Sequence, residues 1–333
     1  MGTILVTGGT GFVGRVLLRH LSEAGYQVRV LLRPSPYTPD LPRGLPVEVA
    51  ISALTDPRGL RAALVGVETV YHLAGAEWRG AYASLMEVDI RGTQSLVTAA
   101  IDSGVRRLFY VSHLGADRGS AYPVLKAKAI AEEYIRRSGL NYTILRTAIL
   151  FGANDGFSTG LAQLLSLVPV FFLVPGDGET LLQPLWVEDL ATCLTWALDE
   201  DLTLNQTFEI GGPEYLTFNQ IVGEVMSALR ITRRLVHVQP PYLRGLTVFL
   251  ETFLPAVPVS VYWLDYLAAN RICALDTIPR IFNLVPVRFP QRLAYLKGMA
   301  WRKIALRGIL RRTLRSSVVS QERKEQVMAR RAV

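Results

Sequence analysis

Two groups of residues in this chain of 333 have types and spacing suited to chemistry. The first is Thr7-Gly8-Gly9-Thr10-Gly11-Phe12-Val13-Gly14, where Gly8, Gly11 and Gly14 recur every third residue after an apolar run. A side chain at Gly8 would hinder a tight turn, one at Gly11 would hold an anionic ligand off the backbone amides, and one at Gly14 would keep a following helix away from the strand. A helix N-terminus comes next, and its free amides and dipole favour phosphate, so Thr7 to Gly14 predicts a dinucleotide pyrophosphate site. The second group is Tyr122-Pro123-Val124-Leu125-Lys126. Residues four apart on a helix are neighbours, so the Lys126 ammonium would activate the Tyr122 phenol and also hydrogen-bond a nicotinamide ribose. Tyr122 would then protonate the alkoxide that forms when hydride reaches a carbonyl, with Ser112 holding the carbonyl oxygen.

These residues require particular elements around them. Buried-strand patterns run over 3–7, 27–32, 67–73 and 107–111, with helical spacing between them, as over 13–24 before Gly25 and over 93–103 before Gly104. Strands alternating with helices in this way predict an α/β fold, a Rossmann doubly wound parallel sheet with right-handed crossovers. The predicted organisation is a dinucleotide-binding domain over 1–150, with its core extending to about 230, a smaller substrate-covering part over 151–296, and a basic helical tail over 297–333. In the second half, helices are expected over 187–199 and 217–229, the latter capped by Thr217, and Gly176-Asp177-Gly178 marks a turn. The five prolines of 34–46 predict a loop.

The second strand ends at Arg33, where a site for NAD would place an acid on the ribose hydroxyls. An arginine suits a 2′-phosphate, so NADP(H) is the expected cofactor, with NAD the alternative, and Arg15 reinforces the charge. From Lys297 onward there are 11 Lys and Arg against Glu322 and Glu325, a net +9 within an overall +8, so the rest of the chain carries −1. Lys303, Arg307, Arg311 and Arg315 form one helical stripe with aliphatic residues and Trp301 nearby, a pattern for a membrane surface or an acidic partner, against the plainer reading of a solvated tail. The remainder has no positive excess from which to build a nucleic-acid groove, so no nucleic acid is expected. The apolar stretch 252–264 is broken by Pro255 and Pro258 and falls short of the roughly 20 residues a span needs. Its wider surroundings, 242–264, and the segment 161–175 read as the core of the smaller part or as a cleft for an apolar substrate. The only cysteines, Cys193 and Cys273, have neither metal-ligand nor disulfide spacing, so no metal is expected. With no secretory signal at the start, a cytoplasmic location follows, extending to the cytoplasmic face of a membrane if the tail docks there.

Through Thr7 to Gly14, Leu73-Ala74-Gly75, Tyr122 to Lys126, and Leu145-Arg146 before Phe151-Gly152, the chain resembles the short-chain dehydrogenase/reductase superfamily. Gln183 to Asp189 and Ile210-Gly211-Gly212-Pro213 are similar to its atypical branch, which holds the dehydrogenase-like accessory subunit of mitochondrial complex I and bacterial NAD(P)-binding relatives. The resemblance implies cofactor contacts at Leu73, Ala74 and Gly75 and a catalytic or vestigial role for Tyr122 and Lys126. The chain departs from the family at Ala53, where an acid often touches adenine, and at Asp89, where the helix usually carries asparagine. The expected function is an NADP(H)-dependent carbonyl reductase or dehydrogenase acting on a small apolar substrate. Its rivals are a non-catalytic NAD(P)H-binding accessory or assembly protein, and a nucleotide-sugar epimerase or dehydratase.

Overall fold

The computed structural model describes residues 2–36, 38–39, 41–76, 84–253 and 259–310. In chain order the first half runs β1 (Thr3–Thr7), α1 (Phe12–Glu23), β2 (Val28–Leu32), β3 (Val47–Ile51), α2 (Pro57–Ala63), β4 (Val67–His72), a π-helical turn (Met86–Arg91), α3 (Gly92–Asp102), β5 (Arg107–His113), α4 (Pro123–Arg137) and β6 (Asn141–Thr147). The second half continues β7 (Leu150–Phe151), α5 (Ser158–Leu167), β8 (Phe171–Pro175), β9 (Leu181–Leu182), β10 (Leu185–Trp186), α6 (Val187–Trp196) and β11 (Gln206–Ile210). It ends with β12 (Leu216–Thr217), α7 (Phe218–Leu229), β13 (Arg234–Val238), α8 (Pro240–Phe253), α9 (Val261–Tyr266), α10 (Thr277–Phe282) and a helical stretch over 301–310.

Two compact units share this chain. The first takes in residues up to Asp155, Leu181–Leu216 and Asn270–Arg292, and the second Gly156–Thr180, Thr217–Ala269 and the chain from Leu293. The units are thus interleaved, where the sequence suggests consecutive parts. The first holds a seven-stranded sheet in the order β11-β6-β5-β4-β1-β2-β3, and every pairing in it is parallel. Both faces are covered, which is why the central strands read as unbroken apolar runs. Strand alternation sends Ile4 and Val6 to the face packed by Leu17, Leu18 and Leu21 of α1 and Leu190 and Leu194 of α6. Leu5 points to the opposite face, into a cluster with Leu60 of α2, Leu96 and Val97 of α3, and Ala131 and Ile135 of α4.

Local chemistry fixes the element ends. Gly25 turns the chain out of α1 at φ +83°, and Asp56 caps α2 by accepting from the Arg58 amide. Thr217 caps α7, as the sequence predicts, and forms with Gln220 a reciprocal capping box. Of the seven strands in this sheet, sequence periodicity leaves β3, β6 and β11 unmarked; β11 adds beside β6 in register from Gln206 opposite Thr143 to Ile210 opposite Thr147. It is a half-exposed edge strand joined to its neighbour across some sixty residues, so neither its own pattern nor its separation announces it.

In the second unit, β8 and β13 pair in parallel and α5 packs with α7. Here the expectation that 242–264 forms core is overturned for α8. Tyr242, Leu246, Val248, Phe249 and Phe253 are all exposed, while the buried positions of that helix are Leu243, Thr247 and Glu251.

Candidate functional site

Neighbouring strands β1 and β4 end together, Thr7 opposite His72, and the chain leaves them in opposite directions, from β1 through α1 to β2 and from β4 through α3 to β5. A crevice opens where strand order reverses in this way, between loops 8–11 and 73–76. The two loops touch through backbone. Gly8 stands at φ +73°, and a Cβ there would lie 2.7 Å from the carbonyl carbon of Leu73 and 2.8 Å from the Ala74 nitrogen. A Cβ on Gly14 would lie 2.2 Å from the Gly8 carbonyl oxygen, so α1 approaches the loop as closely as backbone allows. Gly11, by contrast, is exposed, and a Cβ there would meet only the Gly8 oxygen at 3.1 Å. It is the N-cap of α1 and brings no side chain to cap the first turn, which holds no acid either. The amides at Phe12, Val13 and Gly14 therefore stand at the positive end of a helix, suited to an anion, with Thr10 exposed beside them. Arg33, exposed and one residue past the end of β2, sits at the same edge of the sheet, since β2 runs in register with β1 from Val28 opposite Ile4 to Leu31 opposite Thr7.

A buried polar chain supports the 73–76 loop. Leu73 N–H donates to the Thr7 carbonyl at 3.2 Å, Ala74 N–H to Thr7 Oγ1 at 3.4 Å, and Ala76 N–H to Asp89 Oδ2 at 3.0 Å. His72, fully buried, lies between Thr7 Oγ1 at 2.7 Å from Nδ1 and Thr93 Oγ1 at 2.8 Å from Nε2. Thr93 gives its one hydroxyl hydrogen to the Asp89 carbonyl, so Nε2 of His72 must be a donor. Asp89 also faces Lys128 Nζ at 3.0 Å, both side chains being almost wholly buried, and the ammonium lies 5.5 Å from the centroid of the Tyr110 ring. Three loop amides are thus tied inward, while Leu73, Ala74 and Gly75 stay partly exposed.

The residues expected to be catalytic fall differently. Tyr122 is the N-cap of α4, with φ −89° and ψ 117°, so it stands just outside the helix, and the link to Lys126 is the backbone hydrogen bond Lys126 N–H to Tyr122 O at 3.1 Å. Pro123 at the first helical position sets this entry. Lys126 is exposed, and it is the next lysine, Lys128, that points into the fold. Ser112 is not free to hold a substrate oxygen: it lies on the face of β5 turned to α4, fully buried, and its hydroxyl donates to Glu132 Oε1 at 2.6 Å. Glu132 also accepts from Arg136 and Arg146, and its hydrogen bonds with Arg146 hold that guanidinium above its ordinary pKa. Arg271, absent from the sequence-based set, is buried with its guanidinium 6.0 Å from the Tyr122 ring centroid, and a Cβ on Gly115 would run into its Nη1. The signal that could have found Lys128 and Glu132 is their place on the α4 stripe shared with Leu125, Ala129 and Ile135, two charges on an otherwise apolar face. Arg271 carries no such local signal.

Residues 8–164 match the family of NAD(P)H-binding domains. Among curated proteins, the chain is 28% identical over 321 residues to subunit 9 of the NADH dehydrogenase [ubiquinone] 1 alpha subcomplex, mitochondrial, of Arabidopsis thaliana, covering 88% of this chain and 78% of that protein. It is 33% identical over 169 residues to the ceramide reductase of Caulobacter vibrioides, covering 51% of this chain and 53% of that one. In fold it is similar to the NADPH-dependent quinone oxidoreductase of Escherichia coli complexed with NADPH, with a TM-score of 0.70 and 17% identity over 88% of this chain and 99% of the other. The crevice between Thr7 and His72 is that of a Rossmann fold, and residues 8–164 carry the match to NAD(P)H-binding domains, with complex I subunit 9 among the chain's homologues.

Proposed function

We propose that this chain is an NADP(H)-dependent oxidoreductase that reduces the carbonyl of a small apolar substrate. The observation that carries the cofactor reading is the contrast among the loop glycines. Gly8 and Gly14 are filled by backbone, whereas Gly11 stands open at the bare N-terminus of α1, as a pyrophosphate seat requires. Thr7, Thr10, Phe12 and Val13 line that seat with the glycines, Leu73, Ala74 and Gly75 form the opposite wall, and Arg33 would pair with a 2′-phosphate. When bound, the reduced nicotinamide supplies hydride. The chain's own part is to hold the dinucleotide, to orient its ribose through the exposed Lys126, and to release a proton from Tyr122 Oη to the developing alkoxide. Ser112 has no part in this, its hydroxyl being committed to Glu132.

A second reading, a dinucleotide-binding accessory protein without turnover, is favoured by one observation: Ser112, the expected carbonyl clamp, is buried with its hydroxyl bonded to Glu132. Calorimetric titration with NADPH and NADH tests the cofactor assignment. A charge-assisted contact of about 1.5–3 kcal/mol predicts that NADPH binds at least tenfold more tightly and that Arg33→Glu erases the preference. Folded protein that binds neither nucleotide would refute the reading. Turnover of apolar ketones or aldehydes that Tyr122→Phe abolishes, with binding unchanged, distinguishes the reductase from the accessory protein.

A further inference from the structure

Helix α8 has its polarity reversed. Along Pro240–Phe253 the buried line is Leu243, Thr247 and Glu251, while Tyr242 is 74% exposed, Leu246 43%, Phe249 55% and Phe253 66%. At 3.6 residues per turn these four exposed residues fall within an arc of about 60°, on a face well away from the buried line. Phe249 and Phe253 make a tilted pair with ring centroids 4.7 Å apart, in solvent. The opposite side of the helix is anchored: Glu251 Oε1 accepts from the Val261 amide at 3.2 Å, and Arg244 ion-pairs with Asp265 of α9. The apolar stripe is therefore held outward by polar bonds.

Charge divides between the two units in a way that matches. The segments of the second unit hold 15 Lys and Arg against 7 Asp and Glu, the whole net +8 of the chain, whereas the 21 cations and 21 acids of the first unit cancel. Eleven of those 15 cations lie from Lys297 onward. The stretch 301–310 buries Trp301 and Ala305 and exposes Arg302, Lys303 and Arg307 beside Ile304, Leu306 and Leu310. Arg311 and Arg315, the rest of the expected basic stripe, lie outside the described residues. Among the described residues no helix is long and apolar enough to cross a membrane.

We propose that the second unit is a membrane-surface module. Tyr242, Leu246, Phe249 and Phe253 enter the headgroup and upper acyl region of an anionic bilayer, and the C-terminal cations hold its phosphates. A bilayer fits better than a second copy of the chain, because pairing two copies through this unit would set +8 against +8. The inference does not rest on the dinucleotide reading, and its test reads neither nucleotide binding nor turnover. The full-length protein is floated with phosphatidylcholine vesicles, with or without added phosphatidylglycerol. The expected result is flotation with the anionic vesicles, released by high salt. Phe249→Gln with Phe253→Gln, both exposed and so compatible with an unchanged melting temperature, should lower partitioning by about tenfold or more, and deletion of 311–333 should weaken its salt dependence. Wild-type protein that stays with the soluble fraction, or a double variant that floats like wild type, overturns the proposal. So does a double variant whose only change is conversion of a lipid-free dimer to monomer, which would give the stripe to a second copy.

Discussion

Gly11 and Gly14 are three residues apart in one loop, and the structure predicts opposite consequences for adding a methyl group to each. At Gly14 the new Cβ would lie 2.2 Å from the Gly8 oxygen and 2.7 Å from the Gly9 Cα, both backbone atoms, so loop and helix must separate by about 1 Å. Overpacking of this kind costs about 1–3 kcal/mol, or roughly 2–10 °C in melting temperature for a unit of this size. At Gly11 the backbone angles, φ −76° and ψ 175°, are open to alanine, and the one near atom is the Gly8 oxygen at 3.1 Å. A few tenths of an ångström of adjustment is offset by the about 0.4–1 kcal/mol that alanine gains by restricting the unfolded chain, so the melting temperature should move by no more than about 2 °C. The methyl nevertheless stands where an anion would reach the α1 amides, and a loss of about 1.4 kcal/mol or more there weakens NADPH tenfold or more. Thermal melts with and without NADPH, with calorimetric titration of each variant, separate the two effects. Gly11→Ala with wild-type NADPH affinity would refute the loop as the pyrophosphate seat, and Gly14→Ala with a wild-type melt would refute the packing argument.

Three further outcomes follow from buried and half-buried charge. Lys128→Met leaves Asp89 buried without its cation and should cost about 3–5 kcal/mol in urea unfolding, while Asp89→Asn with Lys128→Met should cost less than the sum of the single changes; strict additivity would mean the pair is not coupled. Glu188 is held below its ordinary 4.5 by hydrogen bonds from His20 and then Arg19, so its contribution is present above that pH and is lost as pH falls below it. With partners this exposed, Glu188→Gln should cost about 0.5–1 kcal/mol near neutrality and nothing in acid, and an equal cost at both ends would contradict the assignment. Burial pushes the Cys273 thiol up to about 12, and its hydrogen goes to Gln183 Oε1 at 3.3 Å, while burial also raises Cys193. At pH 8 the Cys273 thiolate fraction is then roughly 10⁻⁴, so iodoacetamide should label the native protein about a thousandfold more slowly than the unfolded chain; rapid native labelling would show that the site opens.

The sequence by itself determined the parts whose signals are local. The unbroken apolar runs and period-3.6 patterns of the first 110 residues and the glycines at 8, 11 and 14 specify a strand, a tight turn and a helix start whatever lies elsewhere. Arg33 at the end of β2 and the Thr217 cap are equally local, because each depends on only a few neighbouring residues. Tertiary structure decided whatever depends on a distant partner. Asp89 finds Lys128, Ser112 finds Glu132 rather than a substrate, β11 finds β6, and Arg271 comes to Tyr122 across about 150 positions. The sense of α8 belongs here too, for an amphipathic pattern shows that a helix has two faces and cannot say which one is turned to protein. Glu251 and Thr247 face inward because polar anchors such as the Val261 amide await them, and the aromatics are left outside.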